Sequence, residues 1–414
     1  MSLVQNVEFL RRMSKLQETN GFGSGFASSL GDFTRGLTPA GKSPLVEITG
    51  FGGNPGELRM LSFVPAKLQP APALVVVLHG CGQTAAGYDL GAGWSTLAER
   101  YGFALLMPEQ QRSNNAQGCF NWFNPEDTAR DQGEACSIRQ MIARMVADHG
   151  INSIFVTGLS AGGAMTSVML ATYPEVFAAG AVIAGLPYGV ASNVREALSG
   201  MLQSPPRPAA SLGDLVRNAS AHRGPWPKLS VLDGSADRTV NPANANEIVK
   251  QWLDVHDLPA AAMSEGIVDG YPHQVWWNED GETVIESYTI TDMAHGTPLG
   301  VADNDERYGT EGAFLIEAGI SSSYHIASFF GLTERVSQPR RAEAVAKTAA
   351  AQPATPLRTP DVAAVLQPLS TLPRAAKPIP MPKLKSEPQP KPRRRAIDVG
   401  AVITRALTAA GLMK

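Results

Sequence analysis

Residues 154–173 constrain the fold more than any other stretch of this chain. A short apolar run, Ile154-Phe155-Val156, leads into Thr157-Gly158-Leu159-Ser160-Ala161-Gly162-Gly163, and a helix-like segment from Ala164 to Tyr173 follows. That order is strand, tight turn, helix. Small residues on either side of the serine let the backbone turn sharply enough to lift a hydroxyl off the end of the strand. The N–H of Ala161 then points from the helix start into the space above that hydroxyl, where an oxyanion would form. A bare G-x-S-x-G arises often by chance; its setting between strand and helix makes Ser160 a candidate nucleophile.

A serine hydroxyl attacks only when a base takes its proton, and the base needs an acid to orient it. Where a serine sits on such an elbow, the chain order is Ser, acid, His. Lys228 to Leu232 reads as a buried strand running into Asp233-Gly234-Ser235-Ala236-Asp237. Asp237, past the strand in a small-residue turn, is the expected acid; Asp233 reads as a strand-end acid that caps local backbone. Thr283 to Ile290 alternates as a strand, and the loop Thr291-Asp292-Met293-Ala294-His295-Gly296 follows it. His295 is the expected base. His149 and His256 end helix-like segments, His222 lies in a polar loop, His273 at a strand start and His325 in a late helix, while His79 precedes the serine.

The continuous apolar run Ala73 to Leu78 suits the middle of a parallel sheet covered on both faces. It ends in His79-Gly80-Cys81-Gly82-Gln83, whose glycines let the loop bend back. The Cys81 N–H is the expected second oxyanion donor beside Ala161; the competing reading is a turn that needs glycine for geometry alone. Downstream, Cys119-Phe120-Asn121-Trp122-Phe123 is a loop rich in aromatics. Trp122 is read as a pocket wall for an acyl chain and, with His79, as substrate-binding; Phe120 is divided between core and pocket. Trp276-Trp277 lies on a strand, with one ring expected inward and the other outward.

Taken together, His79-Gly80-Cys81-x-Gln83, the Cys119–Phe123 loop, Gly158–Gly163, Gly234-x-x-Asp237-x-x-Val240 and Met293–Gly296 resemble the poly(3-hydroxybutyrate) depolymerase family of esterases, itself similar to feruloyl and acetylxylan esterases. The likeness spans about Leu45 to Leu332. It implies an α/β-hydrolase domain, ester cleavage through an acyl-enzyme, the triad Ser160, Asp237 and His295, and oxyanion amides from Cys81 and Ala161. The substrate it implies is a hydroxyalkanoate polyester or its oligomers. Feruloyl, acetylxylan or short acyl esters are the alternative within enzymes, and a hydrolase-fold binding protein is the alternative outside them.

The coarse pattern is two leading strands, then β/α alternation, giving an α/β class with a mostly parallel sheet and helices on both faces. Right-handed crossovers would bring the strand ends carrying Ser160, Asp237 and His295 to one edge. Four regions result: 1–44 as an amphipathic helix and linker, 45–332 as the catalytic domain, 333–395 as a disordered Pro/Ala-rich linker, and 396–414 as an amphipathic helix. From Val336 the tail carries 14 basic and 4 acidic residues, about +10, which leaves about −13 on the rest of a chain whose net charge is −3. A helix on a basic tether is expected to bind a protein partner, an anionic surface or a polymer granule, and no nucleic acid is expected.

No run of eighteen apolar residues occurs, so no transmembrane segment is expected. Met1 to Gln17 lacks the continuous apolar core of a signal peptide. With three cysteines, Cys81, Cys119 and Cys136, the expectation is a cytoplasmic protein, with secretion as the alternative; Cys119 and Cys136 are near enough in sequence to bridge. Neither a metal-ligand spacing nor a dinucleotide fingerprint is present, so no cofactor and no metal are expected.

Overall fold

The computed structural model describes residues 41–304 and 306–333; the expected elements at 1–40 and 334–414 lie outside the described residues. Ten strands form one sheet: β1 (Val46–Ile48), β2 (Arg59–Phe63), β3 (Ala73–Leu78), β4 (Ala104–Glu109), β5 (Ser153–Leu159), β6 (Ala179–Ile183), β7 (Lys228–Gly234), β8 (Ser264–Val268), β9 (Tyr271–Trp277) and β10 (Thr283–Ile290). Their order is β1-β2-β4-β3-β5-β6-β7-β10-β9-β8. The six central strands, β4 through β10, run parallel, and antiparallel pairs close both edges. A separate pair, β11 (Thr297–Leu299) and β12 (Leu315–Glu317), is parallel.

The helices are α1 (Ala85–Ala92), α2 (Trp94–Tyr101), α3 (Pro125–Thr128), α4 (Gly133–His149), α5 (Ala161–Thr172), α6 (Val194–Gln203), α7 (Ala209–Arg217), α8 (Ala243–Val255) and α9 (Ser322–Phe329). They cover both faces of the sheet, which explains the unbroken apolar run of β3. Leu74, Val76 and Leu78 join one core with residues of α4, α5 and α8; Val75 and Val77 join a second with residues of α1, α2 and α9. Alternate side chains of one strand thus feed two cores. At the antiparallel edge Trp276 is 2 % exposed and Trp277 37 %, one ring inward and one outward.

The parallel register sets up the site. Leu159, Ile183, Leu232 and Tyr288 lie side by side across β5, β6, β7 and β10. Ser160 follows Leu159 directly, and the loops leaving β7 and β10 at the same edge carry Asp237 and His295.

Candidate active site

Ser160 sits at φ 58° and ψ −116°, a backbone conformation that non-glycine residues rarely hold. The glycines two positions to either side have no room for side chains. A Cβ on Gly158 would come within 2.4 Å of the Gly162 carbonyl oxygen, and one on Gly162 within 2.3 Å of the Leu78 carbonyl oxygen. The elbow is therefore wedged against the end of β3. Ser160 N–H donates to the Ile183 carbonyl at 2.9 Å, which ties the turn to β6. The serine side chain does not cap α5, and the first N–H groups of that helix have no partner within it.

Past the end of β7, the acid loop is stitched to the loop after β10. Ser235 N–H donates to Ile290 O, Ala236 N–H to Met293 O, and Asp292 N–H to Ser235 Oγ, at 3.0, 3.0 and 2.9 Å. Gly234 is required there, since a Cβ would lie 2.3 Å from the Met293 carbonyl oxygen. The stitching brings Asp237 Oδ2 to 2.6 Å from His295 Nδ1, with the two side chains 1 % and 8 % exposed. Asp237 Oδ1 accepts from Thr239 N–H at 2.7 Å and Val240 N–H at 2.9 Å, so the carboxylate is held from both ends. A carboxylate only accepts, so Nδ1 of a neutral His295 carries the proton and Nε2 keeps a lone pair for a hydroxyl. Among the described residues no hydrogen bond or ion pair joins Asp233 to a histidine; burial, with the charge of Asp237 added, pushes its carboxyl up to about 7.

The loop after β3 folds onto the elbow: a Cβ on Gly162 would also meet the His79 carbonyl oxygen at 2.6 Å. Cys81 is disulfide-bonded to Cys119, and Cys136 is free. This corrects the Cys119–Cys136 pairing that sequence proximity allows. Cys136 lies in the first turn of α4, where Gln140 Nε2 contacts its sulfur at 3.5 Å, whereas the β3 loop and the aromatic loop meet at the sheet edge.

His79 is not where a substrate contact would put it. Its ring is wholly buried and lies 4.9 Å from that of Phe120. Nε2 accepts the Gln110 N–H at 3.1 Å, so Nδ1 is the protonated nitrogen and donates to Gly80 O at 2.8 Å. Burial holds the imidazole below its ordinary pKa. With both nitrogens engaged by backbone, the ring shapes the loop. Phe120 takes the core alternative, and Trp122, 9 % exposed, packs edge-on to Phe123 at 5.4 Å in the same core.

A polar cleft of about 340 Å³ opens beside this loop, lined by Gly82, Gln83, Glu109, Gln111, Arg112 and Gly118. Far along the chain, Asp269, Asp303 and His325 present donor atoms within 4.8 Å of one another. Within this group His325 Nε2 lies 2.8 Å from Asp269 Oδ2. Sequence reading missed Gln110 and Glu134, buried polar residues that stand behind the β3 loop; a carboxylate amid the apolar face of α4 was the signal available.

Residues 61–265 match the family model described as Esterase PHB depolymerase. The chain is 45 % identical over 291 residues to poly(3-hydroxyalkanoate) depolymerase C of Paucimonas lemoignei, covering 70 % of each chain. It is 32 % identical over 266 residues to feruloyl esterase B of Neurospora crassa, covering 61 % of this chain and 88 % of that one. Among solved structures, an acetyl xylan esterase from Aspergillus awamori superposes with a TM-score of 0.56 at 28 % identity, over 61 % of this chain and 94 % of the other. Fold and relatives together define a carboxylic ester hydrolase of the serine type on an α/β-hydrolase scaffold. Within that class, the chain belongs to the PHB depolymerase esterase family. No helix among the described residues is long and apolar enough to cross a membrane.

Proposed function

We propose that this enzyme hydrolyses a 3-hydroxyalkanoate polyester, or oligomers of it, with Ser160 as nucleophile. The observation that carries the mechanism is the buried Asp237–His295 pair at 2.6 Å, on the sheet edge where the strained elbow presents Ser160. His295 Nε2 takes the Ser160 proton as Oγ attacks the ester carbonyl. Asp237 holds the tautomer and stabilises the imidazolium. The N–H groups of Ala161 and Cys81 bind the oxyanion, each such donor lowering the barrier by about 3 kcal/mol. His295 then protonates the leaving alkoxide, and water attacks the acyl-enzyme by the same route. Trp122 is retained as the wall residue for the acyl chain.

The Paucimonas relative, a poly(3-hydroxyalkanoate) depolymerase by name, supports the polyester. Relatives named feruloyl esterase and acetyl xylan esterase support the second reading, in which the acyl group is smaller or aromatic. The Cys81–Cys119 disulfide favours an oxidising compartment, the alternative reading of the three cysteines, over the cytoplasm. The basic, Pro/Ala-rich composition of the tail supports attachment to a granule or partner.

The deciding experiment compares purified enzyme with Ser160→Ala on 3-hydroxybutyrate oligomers, amorphous polyhydroxybutyrate, methyl ferulate, acetylated xylan and p-nitrophenyl esters. Serine-dependent release of hydroxybutyrate is the expected result. Turnover of only the ferulate or the xylan establishes the second reading, and equal turnover by Ser160→Ala defeats the mechanism.

A further inference from the structure

Behind the β3 loop lies a buried polar chain that the steps above do not use. Glu134, in the first turn of α4, is almost fully buried. Its Oε1 accepts from Gln110 Nε2 and, at 2.8 Å, from Asn121 Nδ2; its Oε2 accepts the Asn121 N–H at 2.9 Å. Burial pushes the Glu134 carboxyl up to about 8, but the three donors that converge on it, at the N-terminal turn of a long helix, act against burial and favour the acceptor-only carboxylate. The Gln110 amide cannot rotate freely, because its Oε1 accepts from Gln111 N–H at 2.9 Å and Asn114 Nδ2 at 3.0 Å. Its Nε2 also donates to Cys119 O at 3.0 Å.

Two arms run from this carboxylate to Cys81. Along the first, Gln110 is held by its side chain, its N–H fixes His79 Nε2, and His79 Nδ1–H fixes Gly80 O. The Gly80 carbonyl and the Cys81 N–H belong to one planar trans peptide and point in opposite directions. A donor pinning that carbonyl inward therefore aims the Cys81 N–H outward, and Gln83 N–H adds a second pin on Gly80 O at 3.2 Å. Along the second arm, Asn121 anchors the aromatic loop, which the disulfide joins to Cys81. Among the described residues no backbone carbonyl takes the Cys81 N–H.

We propose that Glu134 is a positioning residue for the oxyanion site, orienting the Cys81 peptide through Gln110 and His79 on one side and through Asn121 and the Cys119 disulfide on the other. This rests on the reading of the Cys81 N–H as an oxyanion donor. It separates orientation of the donor from binding of the ester, so loss of Glu134 should slow turnover and spare substrate affinity.

The test is Glu134→Gln in the full chain, which turns an amide N–H₂ toward groups that are all donors. With p-nitrophenyl butyrate, kcat is expected to fall about 30-fold while KM stays within about threefold. Affinity for butylboronic acid, which forms an anionic tetrahedral adduct on the serine, should fall by a similar factor. A folded variant with parental kcat, or one in which KM alone rises, overturns the proposal. Should Glu134→Gln fail to fold, Asn121→Ala at a half-buried position carries the question: about fivefold lower kcat at unchanged KM supports it, and unchanged kcat overturns it. Parent enzyme is assayed beside Ser160→Ala throughout. If parent turnover does not depend on Ser160, the esterase mechanism itself has failed and this inference falls with it.

Discussion

Asp237 and His295 meet directly, side chain to side chain, on two loops joined by their own backbone hydrogen bonds. Cys81, across the elbow, is reached only through a relay of buried polar groups and a disulfide to a loop 38 residues away. The proposed proton-transfer half of the site is short, local and made of residue types that advertise their chemistry. The proposed oxyanion half is long, indirect and built from a backbone amide that any residue but proline could supply. Damage should consequently differ in kind: losing one member of the first removes a chemical group, while losing one member of the second misaims a group that is still present.

The sharpest break is Asp237→Asn. It keeps the shape but allows the wrong tautomer of His295, and kcat should drop about 10⁴-fold with the far-ultraviolet circular dichroism unchanged. If the loss were below tenfold, the direct pair would not be the proton-transfer element. On the other half, Cys119→Ser releases the loop closure. Thermal or urea unfolding should show a loss of about 3 kcal/mol, together with a lower kcat at similar KM; a variant of parental stability would show that the hydrogen-bonded arm holds the loop unaided.

Asp233→Asn sharpens the comparison by pH. The carboxyl of Asp233 rises from 3.8 to about 7 in the folded protein. Below pH 3.8 both states bind the proton and nothing is lost. Between 3.8 and about 7 the unfolded chain releases it first, so stability declines as pH rises, then levels off above the folded value. The asparagine variant should lack that decline and melt a few degrees higher at pH 8 than the parent, with little difference at pH 3.5. Equal slopes in both proteins would remove Asp233 as the source. The smallest effect is expected for Thr84→Ala. Thr84 caps α1 by accepting Gly87 N–H at 3.1 Å, and its loss should cost about 1 kcal/mol in stability while kcat changes less than twofold. A larger kinetic change would mean that the loop is also steadied from its outer end.

The same contrast governs what could be read from residues alone. The boundaries expected for β3 and β10 coincide with the structure, and those for β5 and β7 differ by few residues, because each has a continuous apolar run or clear alternation. Asp237 could be favoured over Asp233 because it lies in the turn and not on the strand. β8 has no strand pattern of its own, since four of its five residues are exposed and one is glycine; it exists through pairing with β9. The sequence clue was Asp269-Gly270, whose φ angles of 49° and 88° make a tight hairpin turn. α1 carries two glycines in eight residues, and α6 and α7 flank the proline-rich stretch at 205–208, so propensity hid them. Beyond the lone carboxylate on the apolar face of α4, the relay from Glu134 is not legible in the sequence, because its members lie on different elements and meet only once the sheet and α4 have packed. His79 shows the cost of reading a histidine by residue type: its position was informative, and the role suggested by its chemistry was not.

One consequence of the buried helix behind the elbow concerns motion. All twelve residues of α5 are buried, so its amides should exchange with solvent deuterium only when the domain opens as a whole. The proposed nucleophile and the Ala161 N–H are mounted at the start of this buried helix. Whatever adjustment catalysis demands must come from the loops around them, and the ester has to conform to a stationary serine.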